Sequence, residues 1–352
     1  MGDFLAAVTN KYSGIFLSGP GAVRMEHMVV RWVADLVGYP AGAGGHVASG
    51  GSIATLAAVA AARDGVGLGG ADYAGAAVYL TDQAHLCVEK ALRIAGMKEV
   101  PVRRVPVNGR HRMRPDALAE AIGADRARGL RPWLVVATAG TTDTGAVDPL
   151  DAIADVADRE RCWLHVDAAY GGFFLLTGHG RALLRGLGRS DSAVLDPHKS
   201  LFLPWGAGVV AVRDAARLAG AHPTLPGAAR ARPGAIPCCC STARGATSRI
   251  SSRSAGCSCP GRRGPGLRGG SPARSLDRHL PLGAARRRPG VRRPAQPGDR
   301  GRGRRDGRVF LSSTTLGGRF TLRLAALTAG THRRHVDLAL RVLAEQVAAL
   351  GH

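Results

Sequence analysis

Residues 1–220 alternate between short apolar runs and longer stretches whose apolar positions recur with helical spacing. Near-continuous apolar runs of this length suit strands buried on both faces of a parallel sheet. The predicted strands are 77–80, 133–138, 163–166, 193–195 and 208–212. The predicted helices are 52–63, 84–95, 115–128 and 149–159, with Asp116 and Asp148 near the starts of the last two, where acidic residues favour helix initiation. This alternation predicts a doubly wound α/β sheet.

The pattern returns in a smaller form near the end of the chain. Residues 309–312 and 319–324 are predicted strands on either side of a turn at 316–318. One apolar face of an amphipathic helix follows, with steps of three and four residues; it consists of Val336, Leu340, Leu343, Val347 and Leu350. Residues 306–352 are therefore expected to form a small α+β part.

The segment 221–305 has a different composition from the rest of the chain. It holds 19 arginines, no lysine and two acidic residues, so it supplies most of the formal net charge of +22. It also contains five of the seven cysteines and no aromatic residue. So few apolar side chains cannot bury enough surface to fold. We expect this segment to be disordered, or to result from translation of a GC-rich gene out of frame, since that produces the same residue types.

Other functions of the segment 221–305 are weaker alternatives. Its arginines could neutralise phosphates and give sequence-independent binding to nucleic acid or another polyanion, but it lacks the aromatic residues on which single strands stack. The cysteines at 238–240, 257 and 259 lack the CxxC spacing of metal sites. We therefore expect no metal and no specific nucleic acid, although a non-enzymatic, basic polyanion-binding protein remains an alternative.

The remaining composition indicates a protein of the cytoplasm. The longest apolar run, 53–62, is too short to cross a bilayer. The first 14 residues lack the basic start and apolar core of a signal peptide. Cys87 and Cys162 are the only cysteines outside 221–305, which does not make a disulfide framework. No membrane association is expected.

Candidate chemistry lies where the predicted strands end. Ligands of open parallel sheets bind beyond the carboxyl ends of the strands. Asp167 directly follows the predicted strand 163–166, and Lys199 comes shortly after the predicted strand 193–195. The chain has only four lysines against 44 arginines. Unlike arginine, a desolvated lysine can become a free amine and form an imine, so Lys199 is a candidate for covalent catalysis. A solvated loop lysine is the simpler alternative.

Three further features are weak individually. Gly50, Gly51 and Ser52 begin a predicted helix, and the free amides of a helix N-terminus suit a phosphate, although they are also an ordinary cap. His85 follows a strand and could lie over an aromatic ligand, or be structural. Hydroxyl groups, including that of Thr142, end another strand. Together with the aspartate and the lysine, these features predict a pyridoxal phosphate site.

On these residues the sequence resembles the group II pyridoxal-phosphate-dependent amino acid decarboxylases, which include the aromatic-L-amino-acid, histidine, glutamate and diaminobutyrate decarboxylases. The resemblance covers residues 1–220 and 306–352. The most specific segments are HVDAAYGG at 165–172 and DPHKSLFLPWGAG at 196–208; the others are NKYSGIFLSGP, RWVADLVGYP, SGGSIATL, TDQAHLCVEKA, ATAGTTDTGAVDPL, VFLSSTTLGGRFTLRL and THRRHVDLAL.

The resemblance implies an aspartate-aminotransferase-like fold, fold type I, and decarboxylation of an L-amino acid to its amine and CO2. It implies that Lys199 holds pyridoxal 5'-phosphate as an internal Schiff base and that Asp167 pairs with the pyridine nitrogen. His85 and Ala169 would contact the two ring faces. Its remaining cofactor contacts would be Gly51, Ser52 and Asp196 around the phosphate, Thr142, and His198 beside the lysine. Another carbanion reaction, transamination or aldol cleavage, stays an alternative.

The resemblance also divides the chain. Residues 1–220 correspond to the cofactor-binding large domain without the family's N-terminal helical segment, and 306–352 to a remnant of the small domain. Family members are homodimers, so a second copy is the expected partner. The family's mobile loop, with a tyrosine that protonates the product, would fall within 221–305, where no tyrosine occurs. We therefore expect impaired turnover, and the sequence does not identify the amino acid substrate.

Overall fold

The computed structural model describes residues 2–9, 14, 16, 19–221, 307–325 and 330–349. The segments 1–230 and 293–352 belong to one compact unit. The second unit, 231–292, lies outside the described residues, as does nearly all of the predicted segment 221–305. The interpretation of that segment, and the three-part division of the chain, therefore remain predictions. None of the helices in the described part is long and apolar enough to cross a membrane.

A seven-stranded sheet, in the order β1-β7-β6-β5-β4-β2-β3, forms the centre of the unit. Its strands are β1 (Gly44–Ala48), β2 (Ala76–Leu80), β3 (Val102–Arg104), β4 (Arg131–Thr138), β5 (Trp163–Asp167), β6 (Ser192–Leu195) and β7 (Gly208–Val212). The pairs from β6 through β3 are parallel, and β7 runs antiparallel to both of its neighbours. The mostly parallel α/β sheet confirms the predicted fold class.

Helices cover both faces of the sheet. The helices are α1 (Gly2–Thr9), α2 (Pro20–Val37), α3 (Gly51–Gly65), α4 (Cys87–Ile94), α5 (Pro115–Ala127), α6 (Leu150–Glu160), α7 (Gly178–Leu183), α8 (Pro197–Ser200), α9 (Ala215–Ala221) and α10 (Arg333–Ala349). Apolar residues of α2, α5 and α6 form one core layer with the sheet, and those of α3 and α4 form the other. Alternate strand residues serve the two layers, as Val135 and Val136 do.

Near the C-terminus, β8 (Ser312–Leu316) and β9 (Arg319–Arg323) form an antiparallel hairpin. Gly317 and Gly318 turn it with positive φ angles of 53° and 75°, which glycine adopts without steric cost. The predicted turn and second strand match. The predicted first strand, 309–312, begins too early, because pairing with β9 starts only at Ser312, opposite Arg323.

Of the two predicted helix-initiation signals, Asp116 is confirmed by its place in the first turn of α5, whereas Asp148 lies just before α6 and does not cap it. Neither α5 nor α6 has a side-chain cap, because Arg114 and Pro149 precede them. Asp116 lies in the first turn of α5 and pairs with Arg114. The carboxylate of Asp148 instead accepts hydrogen bonds from the Met113 and Thr138 amides, at 2.6 and 2.8 Å. Burial raises the pKa of Asp148, and these two amides oppose the rise.

Candidate active site

Four neighbouring parallel strands bring the predicted residues to one edge of the sheet. Asp167 is the last residue of β5, Lys199 lies in α8 directly after β6, and the turn that contains Thr142 follows β4. His85 follows β2. These residues line one cavity of about 410 Å³, within the range of small-molecule sites. All nine predicted residues line it: Gly51, Ser52, His85, Thr142, Asp167, Ala169, Asp196, His198 and Lys199.

The N-terminus of α3 forms one wall of the cavity. Gly51 is its first residue, and a Cβ atom there would lie 2.7 Å from Asp196 Oδ2. Only glycine therefore fits between the carboxylate and the helix. No side chain caps α3, so the Gly51 and Ser52 amides at its start can bind a ligand, and the helix dipole favours an anion.

Lys199 and Asp196 form an ion pair inside the cavity. Lys199 Nζ lies 2.9 Å from Asp196 Oδ2, and His198 Nε2 lies 3.8 Å from the same oxygen. Asp196 is only 1% exposed, whereas the lysine side chain retains 30% of its exposure. His198 Nδ1 donates a hydrogen bond to the Ala207 carbonyl, which holds the ring in place.

The carboxylate of Asp167 is held by a backbone amide two residues further along the chain. Its Oδ1 accepts a hydrogen bond of 3.1 Å from the Ala169 amide, and the residue is 7% exposed. The turns after β4 and β5 lie close together, as Gly171 shows: a Cβ atom on it would be only 2.2 Å from the Ala139 carbonyl oxygen. The absence of a side chain there brings the turn that carries Thr142 next to the end of β5.

The imidazole of His85 has a defined tautomer. Its Nδ1 accepts a hydrogen bond of 3.2 Å from the Cys87 amide, so a neutral ring carries its proton on Nε2. The Cys87 thiol also lines the cavity. Burial raises its pKa to about 11, and Asp167 adds to the rise. The thiol is therefore protonated at neutral pH and is a poor nucleophile.

Some residues of the site were missed by the sequence reasoning. Tyr170 and Trp205 line the cavity; both lie within the quoted motifs, which were the available signal. The Trp205 ring centroid is 4.4 Å from that of His198, although the tryptophan is 82% exposed. Arg323 of β9 donates a hydrogen bond of 2.9 Å to the Thr142 carbonyl. No local signal predicts this contact, since 181 residues separate the partners.

The residues present fit pyridoxal phosphate. An uncapped helix N-terminus suits the phosphate, and the space around Gly51 would be filled by any side chain. At the same edge of the sheet lie a buried carboxylate for a pyridine nitrogen and an amine that can bind an aldehyde. Fold and cavity together place the chain among the α/β proteins of pyridoxal phosphate fold type I.

The chain belongs to the pyridoxal-dependent decarboxylase family, whose conserved domain matches residues 1–225. An aromatic-L-amino-acid decarboxylase of Bacillus atrophaeus is 38% identical over 64% of this chain and 46% of its own length. An L-2,4-diaminobutyrate decarboxylase of Rhizobium meliloti is 39% identical over 62% and 43%. The crystal structure of Oryza sativa TDC with PLP has a TM-score of 0.58 at 36% identity, covering 62% of this chain and 50% of that one.

These comparisons confirm the predicted family, fold class and cofactor. The chain spans about half the length of the curated relatives that it matches. The roles assigned to single residues of the cavity stay predictions.

Proposed function

We propose that the chain carries the cofactor-binding part of a decarboxylase that converts an L-amino acid to its amine and CO2. One observation carries this proposal: Lys199, Asp167 and the N-terminus of α3 line the same cavity. An amine, a carboxylate and an anion cradle are the three groups needed to hold pyridoxal phosphate at its aldehyde, ring nitrogen and phosphate. The family of the chain supports decarboxylation over transamination or aldol cleavage.

Each group has a separate task in this proposal. The amides at Gly51 and Ser52 would hold the phosphate, the Asp167 carboxylate would keep a proton on the ring nitrogen, and the Lys199 amine would hold the aldehyde end of the cofactor. When bound, the cofactor supplies an electron sink for the electron pair left on the α-carbon as CO2 departs.

The other cavity residues would orient the cofactor and enclose it. His85 and Ala169 would contact the two faces of the ring, and Thr142 would supply a hydroxyl from the turn after β4. His198, fixed by the Ala207 carbonyl, stays beside the lysine. Selectivity for loss of the carboxylate would come from the orientation in which these residues hold the substrate.

The substrate is an L-amino acid whose side chain we leave open, because the two relatives are named for aromatic-L-amino-acid and L-2,4-diaminobutyrate decarboxylation. We expect this chain to turn over more slowly than one in which residues 221–305 are restored to the family's reading frame. A cytoplasmic location is in keeping with the buried free thiols of Cys87 and Cys162.

A second copy of the chain is the proposed partner. Met25, Met28, Val29 and Trp32 recur at helical spacing on one face of α2, and between 40% and 68% of each is exposed. Phe202, Leu203 and Trp205, in the chain after Lys199, are also exposed. Apolar exposure of this extent marks an association surface. The resemblance to homodimeric enzymes supports a second copy as the occupant.

The decisive experiment is to add pyridoxal phosphate to the purified protein and record its absorbance. We expect a yellow band, and borohydride reduction followed by peptide mapping should locate the cofactor on Lys199. Lys199→Ala should lose the band and reduce CO2 release from candidate L-amino acids to background. Lys90→Ala, which removes an exposed lysine of α4 outside the cavity, is the matched control. A band that persists in Lys199→Ala would contradict the proposal.

A further inference from the structure

The carboxylate of Asp196 is an unusual group to find in an anion cradle. Both of its oxygens lie against the first residue of α3, within 3.2 Å of where a Cβ on Gly51 would be. Two negative groups in one buried site repel each other, so a fully ionised anion at this helix N-terminus would be disfavoured. The Lys199 ammonium, 2.9 Å from Asp196 Oδ2, and the positive end of the helix oppose that repulsion.

The two oxygens of Asp196 have different surroundings. Oδ2 is paired with Lys199 at 2.9 Å. Oδ1 is fully buried and has no hydrogen-bond partner among the described residues. A buried acceptor without a donor costs about 1–3 kcal/mol. A carboxylate oxygen can only accept, so the missing partner must be a donor.

We propose that Asp196 makes the cradle select a phosphate group that still carries a proton, with the P–O–H group donating its hydrogen bond to Oδ1. This inference rests on the proposed function, because it takes the N-terminus of α3 as the phosphate site. It goes further by assigning the ligand's protonation state and by making Asp196 a specificity-determining residue. Sulfate has the same shape but no proton at neutral pH, and the cradle rejects it.

Within the described ranges, no other ionisable group is in a position to supply this proton. Of the titratable side chains near Asp196, Lys199 and His198 of α8 both face Oδ2. The Cys87 thiol of α4 is protonated but directs its hydrogen to Thr55 Oγ1, at 3.6 Å. The neighbouring residues of α3 and β7, Gly51 and Gly208, have no side chains. Asp167, which lines the same cavity, is another acceptor.

The test measures anion binding without any covalent step. The dissociation constants of inorganic phosphate and sulfate are determined by calorimetry at pH 7 and constant ionic strength. The wild-type protein should bind phosphate at least tenfold more tightly than sulfate. Asp196→Asn replaces the acceptor by an amide that can donate, so sulfate should bind more tightly and the ratio should fall to about two or below. Asp82→Asn, at an exposed residue beyond the same sheet edge, should keep the wild-type ratio.

A second measurement uses pyridoxine 5'-phosphate, whose alcohol cannot attach to Lys199. Phosphate monoesters lose their last proton near pH 6, so the affinity of the wild-type protein should fall by up to tenfold per pH unit from pH 6.5 to 8. Asp196→Asn should show a flatter dependence.

Equal affinity of the wild-type protein for phosphate and sulfate, or no phosphate binding, would overturn the inference even if the variant does not fold. A pH dependence unchanged in Asp196→Asn would also overturn it. Either result would leave the yellow band at Lys199 as the separate test of the proposed function.

Discussion

His165 is a buried imidazole two residues before Asp167 on β5, and it is 1% exposed. Its Nδ1 lies 2.9 Å from Ser192 Oγ, which also accepts a hydrogen bond from the Trp163 indole. Its Nε2 has no hydrogen-bond partner among the described residues. Burial lowers the pKa of His165, and the charge of Asp167 opposes that effect only in part. The ring is therefore neutral at neutral pH.

This histidine should make the fold sensitive to acid. In the unfolded chain a histidine takes up a proton near pH 6.5, whereas in the folded protein it does so only at lower pH. The stabilisation that the neutral His165 side chain contributes is thus fully present above pH 6.5. It is lost as the pH falls towards the pKa of His165 in the folded protein. Between pH 7.5 and 5.5 the free energy of unfolding should fall by roughly 1 kcal/mol more in wild type than in His165→Gln. Urea unfolding of both proteins at the two pH values measures this difference.

His179→Gln, at an exposed histidine of α7, serves as the control and should behave like wild type. Equal losses in wild type and His165→Gln would show that His165 does not contribute.

The residues of the cavity were predictable because their positions follow from the strands. The residues that follow each parallel strand lie at the carboxyl-terminal edge of the sheet. Once both strands were recognised, Asp167 and Lys199 were therefore expected at the same edge. The Lys199–Asp196 pair and the unpartnered Oδ1 atom were not predictable, since they depend on side-chain placement within one turn of α8. Arg323 was not predictable because its partner is remote in sequence.

At the scale of elements, the β8–β9 hairpin is fastened to the active-site turn. Arg323 Nη1 donates to the Thr142 carbonyl at 2.9 Å and pairs with Asp143 Oδ1 at 3.1 Å. Its Nε also donates to Ser312 Oγ on the neighbouring strand, which holds the guanidinium in the hairpin. Arg323 therefore acts as a positioning residue for the turn after β4.

Arg323→Leu should loosen this turn while leaving the sheet intact. Both partners of the ion pair are partly exposed, so the expected loss is modest, about 1 kcal/mol or several-fold in the affinity for pyridoxine 5'-phosphate. Hydrogen exchange of the amides at 141–145 should become faster. Arg323→Lys should keep part of the wild-type affinity and exchange protection. Arg319→Leu, on the same strand, should leave both unchanged. Unchanged exchange at 141–145 in Arg323→Leu would rule this role out.

The elements missed by sequence reasoning have weak or unused signals. Strands β1 and β3 lie at the two edges of the sheet and are only partly buried, and β1 begins with two glycines, so neither shows a strong apolar run. The long helix α2 did have a signal, since Val23, Val30, Val33 and Val37 are buried at helical spacing. The central strands were predicted because burial on both faces leaves them almost wholly apolar.

At the scale of the whole molecule, charge and fold come from different parts of the chain. The basic excess belongs mostly to 221–305, a segment that lies outside the described residues except for its first residue. The hairpin and α10, which follow that segment, belong to the same compact unit as residues 1–230. That arrangement is compatible with family-like sequence resuming near residue 306, as the frameshift hypothesis requires. The coding DNA remains its test.

Association of two copies is the property of the molecule that its surface predicts most directly. On α2, Met28 is 63% exposed and lies one turn from Met25 and from Trp32. A charge at its centre would have to be desolvated on association, which is unfavourable without a partner charge. Met28→Glu should therefore raise the dimer dissociation constant at least tenfold, as measured by sedimentation equilibrium.

Ile94→Glu, at a residue of α4 that is 59% exposed, introduces the same charge on a different helix and should leave the dissociation constant unchanged. A wild-type chain that sediments as a monomer at all concentrations, or a dimer that tolerates Met28→Glu, would remove α2 as the interface.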